Sequence, residues 1–328
     1  MNRMKKYCYL NIVAAGMLVV LLTACSSDAA PYGESVADDY QISVNEQDRH
    51  LTFDMERSAT VHVNANGGIN WVVASKPDWI SVGNAGQGKG SQDLTINAIK
   101  DNPSKDKRTG TITLRSTRFS QETSITVEQA GGYIKATDKV EFPAMSDTRT
   151  ITVTSNVSWR IVTESGSFLA SVSPQSGSPG TTTVTLKSMN NRNEIDNVEY
   201  ITIRPSVSDS AQSSIPAASV QLKREKVVLE VTQSDYGFPQ QGGTLTLTVT
   251  SNSEWEIKDV PSWMTVSTKS GKGNQTVTVQ IKSNNDVYRY ANIYFKSGEV
   301  EAHAWVGQEG MPTPSEDDNP TPRYSRIK

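Results

Sequence analysis

The stretch TITVTSNVSWRI at residues 150–161 returns ninety-six residues later as TLTVTSNSEWEI at 246–257, with eight of twelve positions identical. A chain that writes one phrase twice builds one unit twice. The period inside the phrase is two: Ile151 and Val153 alternate with Thr150, Thr152 and Thr154. Alternation with threonine on the polar side specifies a half-buried strand. Val61 and Val63 alternate in the same way, as do Leu247 and Val249. Beyond residue 40 no segment carries a helical stripe.

A third, looser copy precedes these two. Trp71, Trp159 and Trp255 each open a strand after the alternating run, and Trp79 and Trp263 follow eight residues later in PDWISV and PSWMTV. Glycine turns come next, at Gly88 and Gly90, Gly177 and Gly180, and Gly271 and Gly273. A further strand and an Asn/Asp turn follow in each copy, at Asp101-Asn102, Asn190-Asn191 and Asn284-Asn285. Then come RTGTITL, VEYITI and RYANIYF, and copies one and three close on ITVEQAG and AWVGQEG. Each unit is about 90 residues of six or seven short strands, the pattern of a two-sheet immunoglobulin-like sandwich. The expected architecture is all-β, three tandem immunoglobulin-like β-sandwich domains at residues 41–131, 132–225 and 226–310. The tryptophans share parity with Val73, Ile161 and Ile257 and are expected in the cores.

The first 24 residues stand apart. Arg3, Lys5 and Lys6 precede an apolar run at residues 12–22, too short to span a bilayer as a permanent helix. Leu22-Thr23-Ala24-Cys25 resembles the bacterial lipobox, which implies a signal peptide at residues 1–24, cleavage before Cys25 and lipidation of that cysteine. Cleavage removes three positive charges and no negative ones, so the formal charge moves from −3 to −6. Such a chain lacks the basic field that attracts nucleic acid. The other cysteine, Cys8, leaves with the signal, so the domains stand on apolar cores without disulfides. Residues 25–40 read as a flexible tether, and lipid chains make the protein anchored to a membrane rather than spanning it. Residues 311–328, rich in proline and acidic side chains, read as a disordered tail.

The repeated pattern resembles the BACON domain (Bacteroidetes-associated carbohydrate-binding often N-terminal): a tryptophan, a Pro-x-Trp eight residues on, a glycine turn, an asparagine turn, an Arg-led strand and a closing Val-x-Gln-x-Gly. Copy two departs from it. Phe168 and Leu169 stand where the second tryptophan belongs, and Leu222-Lys223-Arg224 closes the copy without Gln-x-Gly. The resemblance implies an immunoglobulin-like fold, a secreted or lipoprotein context in Bacteroidetes and an association with glycan-using systems. Outward export signals in that group resemble an acidic cluster after the lipidated cysteine, and only Asp28 stands near Cys25.

Catalysis finds little support. Three histidines, His50, His62 and His303, form no nucleophile–base constellation with any Ser, Cys or Asp. A glycosidase needs two carboxylates facing a cleft, whereas the acidic residues here fall in turns and on polar faces. No catalytic residue, cofactor or metal is expected. Asp101-Asn102 and Asn284-Asn285-Asp286 could offer oxygens to a cation, but Asx residues also build turns by bonding their own backbone, and the turn is the reading adopted.

Function is sought where the copies differ. In copy three a two-residue turn at Ser297-Gly298 would set Tyr290 across from Trp305, Asn292 across from His303 and Tyr294 across from Glu301. Copy one has Thr109, Thr111, Thr113 and Thr126 at the matching outward places. Exposed aromatic faces stack on the C–H faces of sugar rings, so Tyr290, Trp305, Tyr294, His303 and Asn292 are the candidate glycan or polysaccharide site. The alternative is a cross-strand aromatic pair that only stabilises the hairpin. In copy two, residues 205–218 form a Ser-rich insertion in which Asp209-Ser210-Ala211 resembles a Bacteroidetes O-glycosylation motif. The expected protein is a non-catalytic outer-membrane lipoprotein that binds carbohydrate, with exposure at the cell surface as a further expectation. The competing expectation is a structural spacer, adhesion or assembly protein with envelope-protein partners.

Overall fold

A computed structural model describes residues 41–206 and 213–311. Cys25, Ser210, the signal segment and the tail from residue 312 lie outside the described residues. Among the described residues the regular structure is β-strand, interrupted only by three-residue 3-10 turns at Glu46–Asp48, Asn66–Gly68 and Asn84–Gly86. No helix among them is long and apolar enough to cross a membrane.

Six sheets form three sandwiches that share one topology. In the first, a four-stranded sheet runs in the order Ile42–Val44, Ser58–Ala65, Gln92–Ala98, Ile80–Val82. A five-stranded sheet faces it, ordered His50–Phe53, Glu122–Gln129, Arg108–Ser116, Asn70–Ser75, Gln87–Lys89. The other two copies repeat both orders strand for strand. Two antiparallel sheets with an early strand laid in parallel beside the last strand is the immunoglobulin-like arrangement. That parallel pair joins His50–Phe53 to residues 126–129, Lys139–Phe142 to 221–224, and Gly237–Phe238 to 307–308. By contact density the first sandwich forms one compact unit. The other two, with Asp101–Arg108, form a second.

Alternation sends every other residue inward, and each sandwich closes its own core. The repeated phrase supplies Ile151 and Val153 to one core and Leu247 and Val249 to another, all buried. Trp71, Trp159 and Trp255 lie in the three core clusters. The glycines that follow are needed for close approach. A Cβ on Gly88, Gly177 or Gly271 would stand 2.3–2.5 Å from Cζ2 of the copy's own tryptophan. Each indole thus lies directly against a glycine backbone. Trp71 and Trp255 also donate Nε1–H to the carbonyls of Gly90 and Gly273, at 3.0 and 2.9 Å. Copy two writes Gly-Ser-Pro-Gly where the others write Gly-Lys-Gly. The extra residue displaces the acceptor, and the buried Nε1 of Trp159 has no partner.

The asparagine turns are built alike. Asn102, Asn191 and Asn284 are buried. Each amide donates twice, to Asp106 and Ala130, to Ile195 and Glu225, and to Val287 and Glu309 carbonyls respectively. Each Oδ1 accepts an N–H two residues on, from Ser104, Asn193 and Asp286. These side chains are spent on the backbone, as the turn reading requires.

The departures of copy two compensate one another. In copy three Arg289 stacks over Trp263, with its guanidinium carbon 4.4 Å from the ring centroid. It donates to Gln308 on the neighbouring strand and to the carbonyls of Lys282 and Ser283. Register pairs Arg289 with Gln308, and in copy two it pairs Asn197 with Arg224. Arg224 stacks over Phe168 at 4.6 Å and donates to Asn197 and to the carbonyls of Met189 and Asn190. The cation has crossed to the partner strand, an amide has taken its place, and Phe168 has replaced the tryptophan beneath it. Burial pulls the Arg224 pKa down from its usual value, and the Glu199 carboxylate opposes that.

Candidate functional site

The site is sought on the outward face of the five-stranded sheet of the third sandwich. Its central hairpin joins Arg289–Ser297 to Val300–Gln308. The observed register corrects the expected one. Tyr290 pairs with Gly307, Asn292 with Trp305, Tyr294 with His303 and Lys296 with Glu301. The turn is Gly298-Glu299, not Ser297-Gly298, and Gly298 takes a φ of 62°. A first turn residue with positive φ is what a two-residue hairpin of matching twist requires. Ser297 is instead buried, and its hydroxyl donates to the Glu254 carbonyl at 2.7 Å. The shift is two residues, so the faces are preserved while every cross-strand partner changes.

Row by row, the outward face is then fixed. Tyr290 lies beside Gly307, and Gly307 beside Gly237. Asn292 and Trp305 form the second row. Lys258, Tyr294 and His303 form the third. Ser270, Glu256, Lys296 and Glu301 form the fourth. All five candidate residues are on one face, and three rings remain substantially open: Tyr290 is 68% exposed, Tyr294 41% and Trp305 37%.

Tyr290 and Trp305 are diagonal neighbours rather than a directly opposed pair. The Tyr294 and His303 rings lie 6.0 Å apart at 47°. Asn292 donates to the Tyr294 hydroxyl at 3.3 Å, while its own Oδ1 is buried without a partner. Behind Trp305, Gln233 donates to its carbonyl at 2.7 Å and so ties the strand to the opposite sheet.

Two further residues belong to this face. Tyr288, half exposed, sits 6.4 Å from Tyr290 ring to ring, at 34°. It precedes the strand but keeps the outward parity of Tyr290, and that parity was the available signal. Gly307 is the other. A Cβ there would stand 2.5 Å from the Tyr288 hydroxyl and 2.6 Å from Cη2 of Trp305. The missing side chain is the space into which both rings lean, and copy one has Glu128 at that place. Beside them opens a cleft of about 390 Å³ lined by Gly237, Phe238, Pro239, Tyr288, Gly307 and Glu309. Among the described residues no group of His, Cys, Asp and Glu has the spacing to hold a metal ion.

The chain is thus a set of tandem immunoglobulin-like sandwiches, one of which carries an open aromatic face. The BACON family model, described as "Putative binding domain, N-terminal", matches residues 69–130 and 253–302. Those segments lie in the first and third sandwiches. No curated protein sequence matches the chain. Similar solved structures include the I9–I11 tandem of titin, at 14% identity over 82% of this chain and 100% of that one, with a TM-score of 0.42. An endo-fucoidan hydrolase of glycoside hydrolase family 107 is similar at 10% identity, over 84% of this chain and 44% of that one, TM-score 0.28. A protein of unknown function from Porphyromonas gingivalis W83 is similar at 14% identity, over 57% of this chain and 99% of that one, TM-score 0.22.

Proposed function

We propose that the protein is a non-catalytic, lipid-anchored envelope protein that binds carbohydrate through the outward face of its third sandwich. The observation that carries the reading is the joint exposure of Tyr290, Tyr294 and Trp305 on one sheet face, next to Tyr288, with Asn292 and His303 between them. Open rings offer stacking surfaces to the C–H faces of sugars, and the amide, imidazole and phenol groups offer bonds to hydroxyls. A row of exposed aromatics on a soluble domain is costly to keep without a partner. Ala substitution of Trp305 and of Tyr290 is expected to weaken polysaccharide binding by about tenfold or more, roughly 1.4 kcal/mol, with little change in melting temperature. Unchanged retention of both variants on immobilised polysaccharides removes the site.

The anchor rests on the Leu-Thr-Ala-Cys sequence and the apolar run before it. Labelled fatty acid is expected to enter the wild-type protein and not Cys25→Ser, which should also leave the membrane fraction. Placement in the outer membrane follows as part of the same proposal. The second reading, a spacer or assembly protein, is favoured by the plain outward threonines of the first sandwich, Thr109, Thr111, Thr113 and Thr126.

A further inference from the structure

The residue after each core tryptophan lies opposite a basic residue of the neighbouring strand. In the first sandwich Val72 pairs with Arg115, and in the third Glu256 pairs with Lys296. In the second, Arg160 pairs with Arg204. Both arginines are exposed, and among the described residues neither makes an ion pair. Like charges set directly opposite one another weaken a sheet, so this pair costs the fold something.

Nothing beside the pair offsets it. In the third sandwich Lys296 also has Glu301 on its other side. In the second, the register of Ala218–Arg224 leaves Ala217 next to Arg204, and Arg160 has Ser176 on its far side. The next outward row, Val162, Thr202 and Ser219, is uncharged. Two lysines stand further along the face, each with a carboxylate: Lys139 with Glu141 and Lys223 with Asp196. Asp101 comes near the corner, its Oδ2 accepting the Ser158 N–H at 2.8 Å, but it pairs with neither arginine.

Two guanidinium forks rooted about 5 Å apart can close on one oxyanion from both sides. On the same strand Tyr200 stands two outward positions from Arg204, about 13 Å away. Its ring is half exposed, and its hydroxyl accepts a bond from Gln221 at 2.9 Å. Thr202 and Ser219 offer hydroxyls between the arginines and the ring. Paired cations, then hydroxyls, then an open ring suit a chain of sugars with acidic substituents. A membrane surface asks instead for apolar side chains projecting around the cations, and the flanking Ser176, Thr202, Ala217 and Ser219 are short.

We infer that the Arg160–Arg204 pair is a binding site for an acidic polysaccharide. One carboxylate or sulfate group sits between the two guanidinium groups, and the chain runs along Asn197–Pro205 towards Tyr200. This site is separate from the aromatic face of the third sandwich and does not depend on it.

The test uses the Cys25→Ser chain, so that an anchor does not carry it to membranes. Native gels containing polygalacturonate, a sulfated galactan or neutral galactomannan read polymer binding. Flotation with phosphatidylglycerol vesicles reads membrane binding. At about 0.05 M salt at least one acidic polymer should retard the chain, an effect lost by about 0.5 M. Which of the two acts separates carboxylate from sulfate. Arg160→Glu, which writes the acid–base pair of the third sandwich, should weaken that binding tenfold or more. The double variant Arg160→Gln with Arg204→Gln should do the same. Neither should lower the melting temperature, because each removes the repulsion. Trp305→Ala, and Arg323→Gln with Arg326→Gln, should leave the acidic-polymer binding unchanged. Retardation by neither acidic polymer, or retardation that both arginine variants leave intact, overturns the inference. A fall in melting temperature that accounts for the lost binding overturns it too. Flotation that Arg160→Glu abolishes, without binding to either acidic polymer, makes the pair a membrane contact instead. None of these outcomes bears on the third sandwich, whose own site the Trp305 and Tyr290 variants test.

Discussion

Replacing Trp255 by alanine should cost the third sandwich about 3–5 kcal/mol, much of what holds a domain of this size together. The indole is buried in its core, lies against Gly271 and donates to the Gly273 carbonyl. Its removal leaves a large void and an unpaired carbonyl. Phenylalanine is the more discriminating substitution. Trp71→Phe and Trp255→Phe each lose an indole hydrogen bond and orphan a glycine carbonyl, whereas Trp159→Phe loses no bond because its Nε1 has no acceptor. The Trp159 variant should therefore be less destabilised than the other two by about 1 kcal/mol. Urea unfolding of the full chain, resolved by hydrogen exchange in each sandwich, gives the three values. Equal losses in all three would show that the indole bonds contribute nothing.

The second large effect is expected at Arg224. Its guanidinium is nearly buried, stacked on Phe168 and committed to Asn197, Met189 and Asn190. Arg224→Gln leaves two carbonyls without donors and uncovers the ring, at about 2–4 kcal/mol. Asn197→Arg in the same chain restores the copy-three order, with the cation on the first strand and the amide on the second. If the corner is interchangeable, the double variant should regain most of the loss. A double variant no more stable than Arg224→Gln would mean that Phe168 and its loop fit only the cation from the second strand. Amide exchange protection of Asn197–Pro205 reads the outcome locally.

Much of this was legible in sequence because it depends on period and parity. Trp71, Trp159 and Trp255 share parity with aliphatic neighbours, and all three are buried. The glycines after them repeat because the indole leaves no room for a Cβ. The outward aromatic set of the third sandwich was legible for the same reason. Its pairing was not. Ser297-Gly298 and Gly298-Glu299 are both plausible two-residue turns, and the choice turns on the burial of Ser297 and its bond to Glu254, which are tertiary facts. Tyr288 was missed because it lies before the strand begins. The Arg224 exchange was hidden more deeply. Position by position, copy two looks degraded, with a lost tryptophan, a lost leading arginine and a lost glutamine. Only the pairing of Asn197 with Arg224 shows that the same contacts are made from the other side.

The parallel strand pair in each sandwich has a mechanical meaning. An early strand and the last strand run side by side in the same direction, so tension between the ends of a domain slides them past each other. All the ladder bonds between them then resist together, rather than opening one after another as in a peeled hairpin. The first two sandwiches clamp with four residue pairs each, the third with two, Gly237 with Gly307 and Phe238 with Gln308. A load on the aromatic face would therefore be met first by the shortest clamp in the chain. That clamp is built on Gly307, the same glycine whose missing side chain makes room for Tyr288 and Trp305. Grip and give are set by one residue.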